Sequence, residues 1–249
     1  MSVKPGFLSE IFVSFQGEGA HVGRRHLFVR LAGCNIRCRY CDTPDSLERT
    51  EGFTIQWNDR TEYRQNPVRA VDVALVINSL LREAEPIDAV ALTGGEPLTQ
   101  SEFLAELLGA AQLSVPALLE TNGVLPRRLP DVLPLVDIIS MDVKLPSNTG
   151  EGSFWDEHAE FLERARAGAK DIYIKILVDQ ETKEEDVLQA AMLVARSVPT
   201  APVFLQPIVD ERGRCSIDAA KMTQLFIVAR GRVPSVRVLP QTHKFMQIH

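Results

Sequence analysis

The chain has 249 residues, 45% of them apolar, with 15 prolines spread along it, enough to bury a full core in one large or two small domains. A single α/β domain over residues 1–249 is the simpler expectation. The formal charge is −6, and basic residues are scattered apart from short groups such as Arg24-Arg25-His26 and Arg127-Arg128, which argues against a direct nucleic-acid partner. The first ten residues lack the layout of a signal peptide, and no stretch reaches the roughly 18 uninterrupted apolar residues of a bilayer span, so a cytoplasmic protein without a membrane partner is expected.

Residues 1–26 read as an N-terminal extension. Leu27–Leu31 is short, apolar and β-branched and ends at Ala32-Gly33, the pattern of a buried strand feeding a loop. Similar runs recur at Ala89–Thr93, Ala117–Glu120, Ile138–Asp142, Ile172–Val178, Val203–Pro207 and Val236–Leu239. The polar stretch 54–67 reads as an excursion and not as a domain. Helices are expected at Ala70–Ala84, around Phe103–Ala111, at Phe154–Ala167, around Val187–Val194 and at Ile217–Arg230. Thr99 with Glu102, and Thr182 with Glu185, are spaced as capping boxes for two of them.

Strands alternating with helices imply a parallel βαβ sheet, open or curled into a barrel, with its chemistry at the strand C-termini. The unusual motifs fall at such ends: Cys34 to Thr43, Gly94 to Pro97, Thr121 to Gly123, Lys144 and Gln206. They should converge in one mouth.

Of four cysteines, three lie within eight residues as Cys34, Cys38 and Cys41, in the spacing CxxxCxxC. Clustering of this kind favours a metal site in a reducing compartment over a disulfide framework, and Cys215 reads as an ordinary thiol. Structural zinc usually takes four protein ligands, whereas a 4Fe-4S cluster held by three cysteines keeps one iron open. Thr93-Gly94-Gly95-Glu96-Pro97 follows a strand; its glycines let a ligand approach the backbone, and Glu96 could bind an ammonium.

The spacing, with Tyr40 before the last cysteine, resembles the radical SAM superfamily, and Gly95-Glu96 is similar to its element contacting the methionine amino group of S-adenosylmethionine (SAM). That likeness implies a 4Fe-4S cluster, SAM and a partial (β/α)6 TIM-like barrel of parallel strands. Phe15-Gln16-Gly17-Glu18-Gly19, Arg30, Cys41-Asp42-Thr43, Glu120-Thr121-Asn122-Gly123, Gln206-Pro207 and Gln241-Thr242-His243-Lys244 sharpen it. Together they resemble the 7-carboxy-7-deazaguanine synthase family over nearly the whole chain.

The resemblance implies conversion of 6-carboxy-5,6,7,8-tetrahydropterin to 7-carboxy-7-deazaguanine with loss of ammonia, through hydrogen abstraction by a 5'-deoxyadenosyl radical and regeneration of SAM. It also implies a homodimer and a reductant such as flavodoxin or ferredoxin. Phe15, Gln16, Gly17, Arg30, Thr93 and His243 would meet the pterin; Arg30 can hold its carboxylate bidentately and Gln16 can read its ring edge. Thr43 would ligate Mg²⁺, a cation that prefers oxygen. Tyr40, Cys41, Asp42, Gly95, Glu96, Ser140, Asp142, Lys144, Gln206 and Pro207 would line the SAM site; which of Ser140, Asp142 and Lys144 makes the contact stays open. His26, His158 and His249 read as packing or solvated histidines.

Two other classes share parts of this pattern. A glycyl-radical-enzyme activase also uses CxxxCxxC and GGEP but has no need of FQGEG, Arg30 and CDT. A ferredoxin-like carrier or metal-stabilised binding module would want a fourth clustered cysteine and has no need of GGEP.

Overall fold

The computed structural model describes residues 4–84, 86–168, 171–210 and 212–248; His249 lies outside them. In chain order it runs β1 (Leu8–Phe15), β2 (Arg25–Leu31), β3 (Gly52–Trp57), β4 (Arg60–Gln65), α1 (Ala70–Glu83), β5 (Ala89–Gly94), α2 (Ser101–Ala110), β6 (Ala117–Thr121), β7 (Ile138–Asp142) and α3 (Pro146–Thr149). It continues with α4 (Trp155–Arg166), β8 (Asp171–Val178), α5 (Glu184–Ser197), β9 (Val203–Pro207), α6 (Ala219–Arg230), β10 (Val236–Val238) and α7 (Thr242–Met246). The strands form one ten-stranded sheet ordered β10-β9-β8-β7-β6-β5-β2-β1-β3-β4. From β2 through β5 to β10 every neighbouring pair is parallel. Six of these strands, β2 and β5 to β9, make the partial barrel, and β10 adds three residues at its edge.

Two antiparallel pairs depart from an all-parallel sheet. The first 26 residues are built into it: β1 pairs antiparallel with β2 and parallel with β3. The polar stretch 54–67 falls largely in the β3–β4 hairpin, which completes the opposite edge. All six β4 residues are exposed, and Arg60, Glu62 and Arg64 place charges on that edge, which discourages further strand pairing.

Neither capping box forms. Pro97 begins a tight turn directly after Glu96, so the Glu96 carboxylate caps that turn by accepting from Leu98 N at 3.0 Å, and Thr99 Oγ1 donates to Glu96 O at 2.7 Å. At α5, Thr182 Oγ1 is taken by Asp179, donating to its carboxylate at 2.8 Å and accepting from its N–H at 2.9 Å, while Lys183 is the residue at the helix start.

Side chains alternate across each strand and so build two cores. Outward residues such as Leu27, Val29, Val90, Leu92, Leu119, Ile139, Ile174, Ile176 and Leu205 pack with the helices. Inward residues Phe12, Phe28, Ala91, Leu118, Ile138, Tyr173 and Phe204 form a separate cluster. Phe12 and Phe28 stack at 4.8 Å, and Tyr173 meets Phe204 edge-on at 5.8 Å. His26 and His158, both fully buried, are packing histidines: His26 lies against Phe28 and His21, and His158 against Phe154 and Trp155. None of the described helices is long and apolar enough to cross a membrane.

Candidate active site

Two residues further along the same inward faces, toward the strand C-termini, the apolar layer gives way to a polar one. Phe28 is followed by Arg30, Ala91 by Thr93, Leu118 by Glu120, Tyr173 by Lys175 and Phe204 by Gln206. These polar residues line a cavity of about 660 Å³ together with the cysteine loop, the turn after β1 and the C-terminal segment. That volume lies within the range of small-molecule sites.

The cysteine loop leaves β2 and is anchored at both ends: Gly33 N donates to Ser46 O at 2.8 Å and Arg39 N to Thr149 O at 2.8 Å. Inside it, Arg37 Nη1 donates to the Cys34 and Ile36 carbonyls, each at 2.9 Å. Cys34, Cys38 and Cys41 are unbridged, partly buried, and all on the cavity wall. Burial raises the Cys34 and Cys38 thiols above their ordinary range, so iron binding must displace thiol protons. Among the described residues no three His, Cys, Asp or Glu side chains already converge as a metal site. Three soft donors on one anchored loop, opening on a cavity that the distant Cys215 does not line, fit a cluster with one iron left for an outside ligand.

The cysteine loop's backbone packs against Gly95, and Leu31 of β2 packs against Gly94; both glycines also stand on the cavity wall. A Cβ on Gly95 would stand 2.4 Å from Gly33 O and 2.6 Å from Ser46 O, and Glu96 N donates to Gly33 O at 2.9 Å. Glu96 is fully buried, and beside its contact to Leu98 N it accepts from Thr121 Oγ1 at 2.8 Å and from Asn122 N at 2.7 Å. Burial outweighs those hydrogen bonds and pushes its carboxyl up to about 7. Asn122 also reaches the cysteine loop, its Nδ2 donating to Asn35 Oδ1 at 2.9 Å.

The opposite wall is a chain of alternating charges. Lys144 Nζ lies 2.9 Å from Asp142 Oδ2 and 5.4 Å from the centre of the Tyr40 ring. Lys175 Nζ pairs with Asp142 Oδ1 at 3.1 Å and with Glu18. Burial alone would lower the two lysines, but the facing carboxylates reverse this and hold both well above the ordinary value. Burial alone would likewise raise Glu18; Lys175 and the hydrogen bond from Gln241 overcome it and hold the carboxyl at about 2. Gln241 Nε2 also donates to Asp42 Oδ2 at 2.6 Å.

Between these walls, Glu120 accepts from Gln16 Nε2 at 2.8 Å and from Thr93 Oγ1 at 2.7 Å. Arg30 Nε donates to Glu10 Oε1 at 2.7 Å, and its guanidinium lies 5.3 Å over Phe12. Thr43 precedes a short turn that its side chain does not cap, and it too stands on the cavity wall.

Of the residues singled out from sequence, Phe15, Gln16, Gly17, Arg30, Thr93, His243, Tyr40, Asp42, Thr43, Gly95, Glu96, Asp142, Lys144, Gln206 and the three cysteines share this cavity; Ser140 and Pro207 do not line it. Ser140 lies one inward step below Asp142, against Tyr173, and Pro207 alternates to the face opposite Gln206. Among the three candidates on and after β7, Asp142 and Lys144 therefore reach the cavity. Lys175 was missed, although a lysine inside Ile172–Val178 was a visible signal. Glu18, Glu120 and Gln241 lie in the FQGEG, ETNG and QTHK motifs, whose spacing alone gives them no role.

Comparison with known proteins agrees with this geometry. The sequence profile of the radical SAM superfamily matches residues 29–194. A 7-carboxy-7-deazaguanine synthase of Geobacter sulfurreducens is 37% identical over 98% of both chains, and that of Methanopyrus kandleri is 36% identical over 95% of this chain and 92% of its own. QueE from Escherichia coli has the same fold, with a TM-score of 0.60 at 22% identity over 95% of this chain and 94% of that one. A radical SAM methyltransferase from Sphaerobacter thermophilus follows it at 0.59 and 12% identity over 87% and 66%. The chain belongs to the 7-carboxy-7-deazaguanine synthase family of the radical SAM superfamily.

Proposed function

We propose that this protein converts 6-carboxy-5,6,7,8-tetrahydropterin to 7-carboxy-7-deazaguanine with loss of ammonia. The observation that carries the reading is the single cavity in which three cysteines without a fourth face Arg30 and a Glu120 held by Gln16 and Thr93. Cys34, Cys38 and Cys41 hold the 4Fe-4S cluster, which with SAM supplies the radical chemistry.

Residues of this chain set the geometry around it. Glu120 faces the cavity with neutral donors behind it and accepts from the amino and ring N–H groups of the pterin edge, while Gln16 and Thr93 fix its orientation. Arg30, aligned by Glu10 and the Phe12 ring, takes the substrate carboxylate. Thr43 offers its hydroxyl to Mg²⁺ beside that carboxylate. Phe15, Gly17 and His243 close the pterin side. On the other side Tyr40, Asp42, Gly95, Glu96, Asp142, Lys144 and Gln206 receive SAM, and an ammonium beside Glu96 favours its charged form over the neutral form that burial promotes. One domain over residues 1–249, a homodimer and a flavodoxin or ferredoxin donor complete the reading; the sheet, with strands drawn from residue 8 to residue 238, supports the first, and family membership supports the others.

Reduced, reconstituted protein incubated with SAM, Mg²⁺ and the pterin should yield 7-carboxy-7-deazaguanine by mass spectrometry. A SAM-responsive cluster that gives no product overturns the proposal. Thr43→Ala should keep its iron and lose most of its response to added Mg²⁺; an unchanged Mg²⁺ titration removes Thr43 as a ligand.

A further inference from the structure

Lys175 is a charge in the middle of an apolar strand, Ile172-Tyr173-Ile174-Lys175-Ile176-Leu177-Val178, and the function above gives it no task. It is 5% exposed. Its two carboxylate partners stand on the same charged wall but belong to different segments of the chain. Asp142 ends β7 on the side assigned to SAM, and Glu18 stands in the turn between β1 and β2, beside the Gln16 assigned to the pterin.

Glu18 is in turn the point where the C-terminal segment attaches. Its Oε1 accepts from Gln241 Nε2 at 2.7 Å and from Gln206 Nε2 at 2.9 Å, while Thr242 N donates to Gly17 O at 3.0 Å. The glycines flanking Glu18 are demanded by the fit. A Cβ on Gly17 would stand 2.0 Å from His243 Nδ1, and one on Gly19 would stand 2.2 Å from Tyr173 Cε2. The turn is thus wedged between His243 and Tyr173, and a side chain at either glycine would force the turn or its neighbour to shift. A buried ion pair is an inefficient source of stability compared with apolar residues of similar volume, so its presence calls for another account. The account here is that one ammonium joins three separate pieces of chain.

We propose that Lys175 is a positioning residue, whose simultaneous hold on Glu18 and Asp142 sets the Gln16–Gly19 turn and the C-terminal segment against the end of β7, so that the pterin and SAM sides of the cavity are assembled as one. The naming of the two sides rests on the function proposed above; the tie among the three pieces of chain does not. Lys175 itself needs to touch no substrate.

Hydrogen exchange with mass spectrometry on the anaerobically reconstituted protein tests the tie directly. Lys175→Met should speed exchange at least tenfold in peptides covering 16–19 and 241–246, leave β5 and β6 at wild-type rates, and keep its iron. Lys175→Arg should recover most of the protection. Glu18→Gln should reproduce the same local pattern, and the double variant should be no worse than Lys175→Met, because both changes cut one link. In turnover, Lys175→Met should raise the KM for the pterin at least tenfold with a smaller effect on kcat, and Lys175→Arg should bring it back toward wild type. Unchanged exchange at 16–19 and 241–246 overturns the proposal. So does loss of protection in β5 and β6 or loss of iron, either of which makes Lys175 a general stability residue. If wild-type protein does not convert the pterin, the functional reading falls while the exchange result still decides the role of Lys175.

Discussion

The inward faces of β2, β5, β6, β8 and β9 carry two layers separated by two residues, and the layers obey different physics. The lower one, Phe28, Ala91, Leu118, Tyr173 and Phe204, is held by apolar burial and ring contacts, which are non-directional and tolerate exchange of one shape for another. In the upper one, Arg30, Thr93, Glu120, Lys175 and Gln206 depend on particular donors meeting particular acceptors. Removing one member there leaves its partner buried without compensation, which costs more than the hydrogen bond was worth. The same strands thus supply a layer that keeps the protein folded and a layer that lines the cavity and, on the function proposed above, makes it selective.

Substitutions can break that division. Phe204→Ala should lower stability by about 3–5 kcal/mol through lost transfer energy and an unfilled cavity, read as a fall in urea midpoint, while the KM of the remaining folded enzyme for the pterin stays within about twofold. A large KM change would show that the lower layer also shapes the site. Glu120→Ala should weigh the other way, reducing kcat/KM about 100-fold, equivalent to about 2.7 kcal/mol, with a smaller fall in the urea midpoint than Phe204→Ala, about 1–3 kcal/mol for the donors of Gln16 and Thr93 left unpaired. A variant that loses stability and keeps its kinetics would assign Glu120 to structure.

The smallest expected effect separates the layers by pH. Burial, reinforced by His21, lowers His26 from 6.5 to about 4. The unfolded chain takes up a proton there that the folded protein declines, so this part of the stability is complete above 6.5 and is lost as pH falls toward 4. Glu18, held at about 2 against 4.5, contributes stability that is complete above 4.5 and is lost as pH falls toward 2. His26→Phe should therefore reduce the slope of urea midpoints between pH 6.5 and 4, leaving the shares carried by His158, whose burial also lowers it to about 4, and by His21 and His243, which burial lowers too. Glu18→Gln should flatten them below pH 4.5 only. Identical windows for both variants would erase the distinction.

What could be read from the sequence was what local pattern encodes. The cysteine spacing and the apolar runs that became β2 and β5 to β10 need no knowledge of distant partners, and the family likeness supplied most of the cavity. The β3–β4 hairpin was missed because β4 has no buried face, so its residues carry no alternation to detect. The capping boxes failed because Pro97 and Asp179 offered nearer geometry than the spacing rule anticipates. Glu18 went unassigned because its partners lie far along the chain, Lys175 at a separation of 157 residues and Gln241 at 223. Charge pairing over such distances leaves no periodicity in either segment.

The ion pair at Lys175 has a consequence for how β8 finds its place. A strand that slips by one residue against its neighbour turns its apolar side chains to the wrong face, so hydrophobic pattern forbids that error. A slip by two restores the alternation, and Ile174 and Ile176 would still face the helices. In the native pairing Lys175 lies opposite Asp142 and Tyr173 opposite Ser140. Moved down by two, the ammonium would enter the apolar layer of Phe204, Leu118 and Ile138 and lose its place opposite Asp142. One lysine thus distinguishes the correct pairing from the misalignment that the apolar residues of the strand cannot detect, and the selective layer becomes a ruler for the assembly of the sheet.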